Sequence, residues 1–276
     1  MPEACVVEDL LREAGIERRE ARMLLAQASD VAEASIAAFP ERLIDAHAAA
    51  RFRDWARRRS DGEPFAYIVG WREFYGRSFK VTPAVLIPRP ETELLVERTI
   101  QCAQGLPRPR IVDLGTGSGA IALTLACELP LAQITAIDAS RSALEVAAFN
   151  GHALAPRRIE WLESDWFAGL GGRLFDLIVA NPPYVTAGDA HLACGDLRFE
   201  PQAALVGGDD GMQCIDTIVA AAPAHLVHGG WLLLEHGFDQ GAPVRACLAA
   251  TGFESIATWR DLAGQERVSG GRRPAI

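Results

Sequence analysis

Arg110-Ile111-Val112-Asp113-Leu114-Gly115-Thr116-Gly117-Ser118-Gly119-Ala120-Ile121-Ala122-Leu123-Thr124-Leu125-Ala126 decides the fold. Arg110 to Leu114 reads as a short buried strand, the alternating glycines make a turn, and the apolar run beyond continues as a helix. Glycine suits this place because a tight strand-to-helix turn uses backbone angles that other residues resist. It also lets a ligand approach the main chain closely. The next apolar stretch, Gln133-Ile134-Thr135-Ala136-Ile137, ends in Asp138, 138 − 119 = 19 residues past the last glycine. A carboxylate near that spacing grips the hydroxyls of a ribose. Gly115-x-Gly117-x-x-Ala120 also satisfies the relaxed dinucleotide pattern. These residues point to a nucleoside-like cofactor without naming it. NAD would set its pyrophosphate at the helix start. S-adenosylmethionine carries no phosphate, but its ribose and amino-acid tail fit a similar place. An ordinary βαβ turn is the bland alternative.

Downstream, the apolar run Leu174 to Ala180 reads as another buried parallel strand, and it stops at Asn181-Pro182-Pro183-Tyr184. Prolines donate no ladder hydrogen bond, and each holds the residue before it extended. The result is a stiff loop at a strand's C-terminal end, where open α/β sheets place their ligands. Asn181 Oδ1 and the Pro182 carbonyl can each accept one hydrogen of a planar NH₂ group, while Tyr184 covers a flat face. A proline-capped strand end is the competing explanation.

Further strands are expected at 159–163, 230–236 and 253–259, with helices between most of them, so the sheet is doubly wound and mostly parallel. Residues 185–215 are long and polar, a candidate lid or substrate-binding flap. Upstream, Trp71 to Phe74 and Ser78 to Val81 suggest a hairpin, and Pro90 opens a helix from Glu91 to Cys102. Residues 1–62 read as helices. Apolar stripes run through Val7, Leu10 and Leu11 and through Ala21, Leu24 and Leu25, and a longer helix is expected from Glu41 to about Ser60. The arginines of that helix, Arg51, Arg53 and Arg57–Arg59, suggest a solvated face. Three segments result: helical 1–62, hairpin and extended linker 63–90, and a cofactor-binding domain 91–276.

The net charge of −9 argues against gripping long stretches of nucleic acid. No run of eighteen apolar residues suggests a membrane span, and the N-terminus lacks a secretory pattern. Six scattered cysteines without a Cys-x-x-Cys suggest a reduced, cytoplasmic protein with no zinc site. His236, after a buried strand, is expected to be a hydrogen-bonded structural histidine; the other histidines share no metal-ligand spacing.

Asp113 to Gly119 together with Asn181 to Tyr184 resembles motifs of class I S-adenosylmethionine-dependent methyltransferases that modify exocyclic or amide nitrogens. Phe74-Tyr75-Gly76, Leu86-Ile87-Pro88-Arg89-Pro90-Glu91-Thr92-Glu93, Ser164-Asp165-Trp166-Phe167, Phe199-Glu200-Pro201, Ala204-Leu205 and Leu232 to Gly237 narrow the likeness. Together they resemble the protein-(glutamine-N5) methyltransferases of peptide chain release factors, the HemK-like family, over roughly residues 64–270. The resemblance implies a Rossmann-like seven-stranded sheet with a small N-terminal helical domain, and methyl transfer to the glutamine of a Gly-Gly-Gln tripeptide. It implies that Gly115, Thr116, Gly117, Ser118 and Gly119 approach the methionine portion of the cofactor. Asp138 would then accept the ribose hydroxyls, Asp165 and Trp166 border the adenine, and Asn181 adjoin the cofactor as well as the substrate. Asn181, Pro182, Pro183, Tyr184, Arg89 and Glu91 fall to the substrate side, with Asn181, Pro182 and Tyr184 carrying the chemistry. For Arg89 and Glu91 a structural ion pair is the alternative. Glu200 and Glu235 are expected to support Asn181 or the nearby loops. No metal and no direct nucleic-acid partner are expected.

An adenine-N6 nucleic-acid methyltransferase shares the NH₂ chemistry but needs base flipping and phosphate contacts. An NAD-dependent oxidoreductase leaves Asn181–Tyr184 unexplained. A nucleoside-sensing module that binds partners through residues 1–62 is a reading without catalysis.

Overall fold

The computed structural model describes residues 4–154 and 159–275. By its contacts the chain forms two units, one running to Trp71 and taking in Ala193–Phe199, the other made of the rest.

The N-terminal unit holds β1 (Cys5–Val6), α1 (Val7–Glu13), α2 (Arg18–Ser29), α3 (Glu33–Ala38), β2 (Leu43–Ile44), α4 (Ala46–Ser60) and α5 (Phe65–Val69). The apolar stripes meet as expected: Leu10, Leu24, Leu25 and Phe52 are fully buried in one core. The long helix starts later than expected. The Asp45 carboxylate accepts the amides of His47 and Ala48, which caps α4 there, and Leu43–Ile44 pairs with Cys5–Val6 instead of joining the helix. α5 lies in what the sequence reading treats as linker. Of the arginines expected on a solvated face, Arg51, Arg53 and Arg57 are exposed, whereas Arg58 and Arg59 are half-buried. Arg58 binds Glu63 through two nitrogens, at 2.6 and 2.7 Å, and Arg59 reaches Glu20 at 3.0 Å and Asp196 at 3.1 Å.

The second unit opens at Arg72, inside the hairpin of β3 (Trp71–Phe74) and β4 (Arg77–Lys80), and continues through a 3-10 turn at Pro90–Thr92 into α6 (Glu93–Cys102). There follow β5 (Arg110–Leu114), α7 (Ala120–Glu128), β6 (Gln133–Asp138), α8 (Arg141–Leu154), β7 (Ile159–Glu163), β8 (Phe175–Ala180), α9 (Gln213–His225), β9 (Leu226–Glu235), α10 (Gly241–Ala250), β10 (Glu254–Arg260) and β11 (Glu266–Arg272). One sheet of seven strands runs β10-β11-β9-β8-β5-β6-β7. β5 to β9 are parallel, and β11 enters antiparallel between β9 and β10. Alternate residues of each strand face opposite layers. Ile111, Val179 and Leu233 pack with α6 and α7, whereas Val112, Ile178 and Leu232 pack with α9 and α10. Burial on both faces explains why Leu177–Ala180 of β8 and Trp231–Leu234 of β9 read as apolar runs.

β11 is the strand with no apolar signature. Its Gly270 and Gly271 are buried where a side chain has no room: a Cβ on Gly271 would stand 2.8 Å from Phe253 Cβ. His236 is the structural histidine expected, held between Gly237 O at 2.7 Å and Ser269 Oγ at 2.8 Å.

Candidate active site

From β5 the chain steps outward through β6 and β7, then returns to lay β8 on the other side of β5. The strand order therefore reverses between β5 and β8, the place where an open α/β sheet leaves a crevice at its C-terminal edge. Leu114 pairs with both Ile137 and Ala180, so Gly115, Asp138 and Asn181 leave the sheet at one level. A cavity of about 370 Å³ opens there. That is the size range of small-molecule sites.

One side of the cavity is built from the glycine turn. Gly115, Gly117 and Gly119 have φ of 75°, 56° and 81°, the left-handed region in which a side chain is strained. The amides of Gly115 and Thr116 both donate to Ile137 O, at 2.9 and 2.8 Å, folding the turn back over β6. Gly117 N donates to Asp138 Oδ2 at 2.9 Å, and Ser140 N to Asp138 Oδ1 at 2.8 Å. Each carboxylate oxygen thus keeps acceptor capacity for a ligand. Burial pushes the Asp138 carboxyl up, and those two amides pull it back down. Asn150 of α8 ties the turn to the hairpin. Its Nδ2 donates to Ser118 O at 2.9 Å and Lys80 O at 3.0 Å, while its Oδ1 accepts Lys80 N at 2.8 Å. Trp166 stands over Gly115, whose Cβ would come within 3.6 Å of the indole. Its own φ of 44° places a bulky residue in the left-handed region, at a cost of about 1–3 kcal/mol.

Asp113 is fully buried beneath this turn. Its Oδ2 accepts the Thr116 hydroxyl at 2.7 Å, and its Oδ1 has no hydrogen-bond partner among the described residues. Burial pushes its carboxyl up to about 7.

The opposite side belongs to Asn181 and to the segment before α6. Asn181 Nδ2 donates to Thr92 Oγ1 at 3.2 Å, which leaves Oδ1 as the free acceptor end of the carboxamide. Tyr184 O–H donates to Glu235 Oε1 at 3.4 Å, and its carbonyl accepts Gln240 Nε2 at 3.1 Å. Beyond Tyr184 the loop pairs with the end of the polar segment: Val185 N donates to Leu205 O and Gly207 N to Val185 O, both at 2.9 Å. Residues 205–207 of the expected flap are thus bonded into the site loop. Arg89 forms an ion pair with the buried Glu200, whose other oxygen accepts Ile87 N at 3.1 Å. Glu200 therefore braces the Leu86–Arg89 rim, as a supporting role predicts.

The cavity brings together Gly115, Thr116, Gly117, Ser118, Asp138, Asp165, Trp166, Asn181, Pro183 and Arg89 from the sequence-predicted set. Four others lie off its lining. Gly119 caps α7 against Leu123 and Trp161, Pro182 is buried, Tyr184 points its hydroxyl at Glu235, and Glu91 is exposed. Among the described residues no cluster of His, Cys, Asp or Glu can hold a metal ion. The open space in front of Gly117, the acceptor pair of Asp138 and the flat indole of Trp166 fit a nucleoside bearing an amino-acid tail, as S-adenosylmethionine does.

Residues 90–204 match the family described as Methyltransferase small domain, and residues 7–70 match the PrmC N-terminal domain. A relative in Burkholderia pseudomallei, named release factor glutamine methyltransferase, is 47% identical over 99% of this chain and 98% of its own length. The chain belongs to the release factor glutamine methyltransferase family. A Pseudomonas aeruginosa relative of the same name is 48% identical over 92% of each chain. The crystal structure of a methyltransferase from Pyrococcus furiosus superposes with a TM-score of 0.53 at 18% identity, covering 74% of this chain and 91% of its own, and shows the shared fold. Sequence reasoning gave no role to Thr92, which lines the cavity and holds Asn181, or to Asp113, buried beneath the glycine turn. The Thr between Glu91 and Glu93 carries no periodic signal, and Asp113 reads as part of a strand.

Proposed function

We propose that this chain transfers the methyl group of S-adenosylmethionine to the side-chain amide nitrogen, N5, of the glutamine in the Gly-Gly-Gln motif of peptide chain release factors. The observation that carries the site assignment is the Asn181 carboxamide: its NH₂ is engaged by Thr92, so Oδ1 is the end available to a substrate N–H. The Pro182 carbonyl, beyond the last ladder residue of β8, is assigned as the second acceptor, the proline itself being buried off the cavity lining.

An amide nitrogen is a poor nucleophile because its lone pair is delocalised into the carbonyl. Two acceptors on its two N–H bonds favour pyramidal character and aim the lone pair in one direction. This is catalysis by orientation and by electrostatic stabilisation of the positive charge that develops on nitrogen. When bound, S-adenosylmethionine supplies a sulfonium-activated methyl, the new C–N bond forming as the C–S bond gives its electron pair to sulfur. No strong base has to act first, because the nitrogen becomes acidic once methylated and then loses its proton. Asp138 holds the ribose, the glycine turn the methionine portion, and Asp165 and Trp166 the adenine. Arg89, held by Glu200, borders the substrate side, and Tyr184 anchors the loop. Two glycines beside the target glutamine suit a narrow entrance that admits bare backbone.

The N-terminal helices are assigned to recognition of the folded release factor, and the enzyme to the cytoplasm, with no direct nucleic-acid partner. None of the described helices is long and apolar enough to cross a membrane. Incubation with labelled S-adenosylmethionine and intact release factor, followed by mass spectrometry, tests the reading. The label should appear on the Gly-Gly-Gln glutamine. Label on adenine of duplex DNA, with none on release factor, contradicts it.

A further inference from the structure

Glu235 ends β9, directly after Leu234, the partner of Ala180 in β8. A carboxyl is thereby set next to Asn181 in a place where the four preceding residues, Trp231 to Leu234, are apolar. It is 1% exposed, and its Oε2 has no hydrogen-bond partner among the described residues. Burying a carboxyl with an empty acceptor is costly, and a leucine would fill the same place without that cost. What the carboxyl does have is hydroxyl donors. Tyr184 O–H donates to Oε1 at 3.4 Å, and the hydroxyl of Thr92, itself buried, faces the same group.

The direction of these bonds matters more than their number. Thr92 Oγ1 accepts the Asn181 NH₂ at 3.2 Å, which leaves its own proton for a second acceptor, and the unpartnered Oε2 of the buried Glu235 carboxyl is the acceptor assigned to it. An ionised carboxylate accepts and cannot donate. The chain therefore has one polarity, from Asn181 NH₂ through the Thr92 hydroxyl to Glu235, and it ends with Asn181 Oδ1 turned away from Thr92. If the group at 235 could donate to Thr92, the threonine proton could swing toward residue 181. The carboxamide would then flip to meet it and present NH₂ to a substrate that also brings NH₂.

We propose that Thr92 and Glu235 are positioning residues for methyl transfer, fixing the polarity of a hydrogen-bond chain that turns the Asn181 oxygen toward the substrate amide. The proposal rests on the reading of Asn181 as an acceptor for that amide. The groups that act on Glu235 are Thr92 and Tyr184 through their hydroxyls and, by charge alone, Glu91 from the 3-10 turn and Arg267 from β11. Arg267 is itself paired with Asp261 at 3.1 Å. Burial pushes the Glu235 carboxyl up to about 7, so its protonated, donating form is about half populated near that pH and dominates below it, and the single polarity of the chain belongs to the ionised form above it.

The test is single-turnover methyl transfer to intact release factor at saturating S-adenosylmethionine, with Thr92→Val, Thr92→Ser, Glu235→Gln, Asn181→Ala and the double variants. Thr92→Val and Glu235→Gln should each slow transfer by roughly 10- to 100-fold with cofactor affinity unchanged. Thr92→Ser, which keeps the hydroxyl, should restore the rate. Neither Thr92→Val nor Glu235→Gln should slow the Asn181→Ala enzyme further, because the chain then has nothing to orient. The unmodified enzyme should lose rate as pH falls through about 7, and Glu235→Gln should lack that step. A slow Asn181→Ala enzyme beside fast Thr92→Val and Glu235→Gln enzymes overturns this inference and leaves the Asn181 mechanism standing. Additive losses in the double variants overturn it as well. A fast Asn181→Ala enzyme removes the mechanism beneath it. If Thr92→Val does not fold, Glu235→Gln is read by the same cycle.

Discussion

Gly207 lies so close to Pro183 that a Cβ added to the glycine would overlap the proline's carbonyl oxygen. The same Cβ would stand 2.7 Å from Gly211 O and 2.9 Å from Tyr184 Cα, so every obstacle is backbone and none can swing aside. The Asn181–Tyr184 loop is thus clamped by main chain from the segment that follows it, and it needs glycine there for approach and not for a special φ.

Gly207→Ala should therefore destabilise the enzyme by about 1–3 kcal/mol, the usual cost of overpacking. Methyl transfer should fall further than stability alone explains, because the loop carrying Asn181 must shift. The glycine turn is built separately, so calorimetry should find cofactor affinity little changed. Denaturant unfolding and transfer assays on one preparation check both halves.

Asp138→Ala should weaken S-adenosylmethionine binding by on the order of 1.5–3 kcal/mol, the scale for a hydrogen bond to a charged group. Part of that loss arises within the protein, since Gly117 N gives up its 2.9 Å bond to Oδ2 and the turn loosens. Calorimetry on the folded variant reads the sum. An unchanged dissociation constant would reduce Asp138 to a strand-end cap.

Asp113 makes stability depend on pH. Its folded value, about 7, lies above the ordinary 3.8 because burial disfavours the charge. For a raised value the stabilisation is complete below the unfolded pKa and is lost as pH climbs through the folded one. Asp113→Asn should accordingly gain on the unmodified protein between pH 5 and 7, by on the order of 1 kcal/mol per pH unit, and level off above. Comparing the two proteins at each pH cancels His236, whose lowered value works in the opposite direction. Thermal or denaturant melts across that range measure the gap, and a constant difference would contradict the burial argument.

The elements that position the cofactor were legible because they are local. Gly115 to Gly119 sit between a strand and a helix, Asp138 closes the next strand, and the two prolines after Asn181 stop β8 at its last ladder residue. β11 was not legible, because Glu266-Arg267-Val268-Ser269-Gly270-Gly271-Arg272 has neither alternation nor an apolar run. Its residues are strand-forming only through the room that Phe253 and Leu233 leave for glycine. The start of α4 was missed for a related reason: the β1–β2 pairing that withdraws Leu43–Ile44 from the helix joins residues some forty positions apart, and the local Asp45 cap marks the start only once that pairing is made. In the site, Glu235 carried a visible signal, a lone carboxylate ending an apolar strand. Thr92 carried none, since its importance lies in what it meets across the sheet edge.

Single-turnover methyl transfer by Asn181→Ala, with cofactor and intact release factor both saturating, tests the central claim most directly. The substitution removes the Oδ1 acceptor while the prolines keep the turn, so cofactor affinity should fall only modestly. The account predicts a transfer rate lower by roughly 10²–10³-fold, the scale of losing one preorganised contact to a transition state. Transfer at the normal rate would contradict it and leave Asn181–Tyr184 a structural turn.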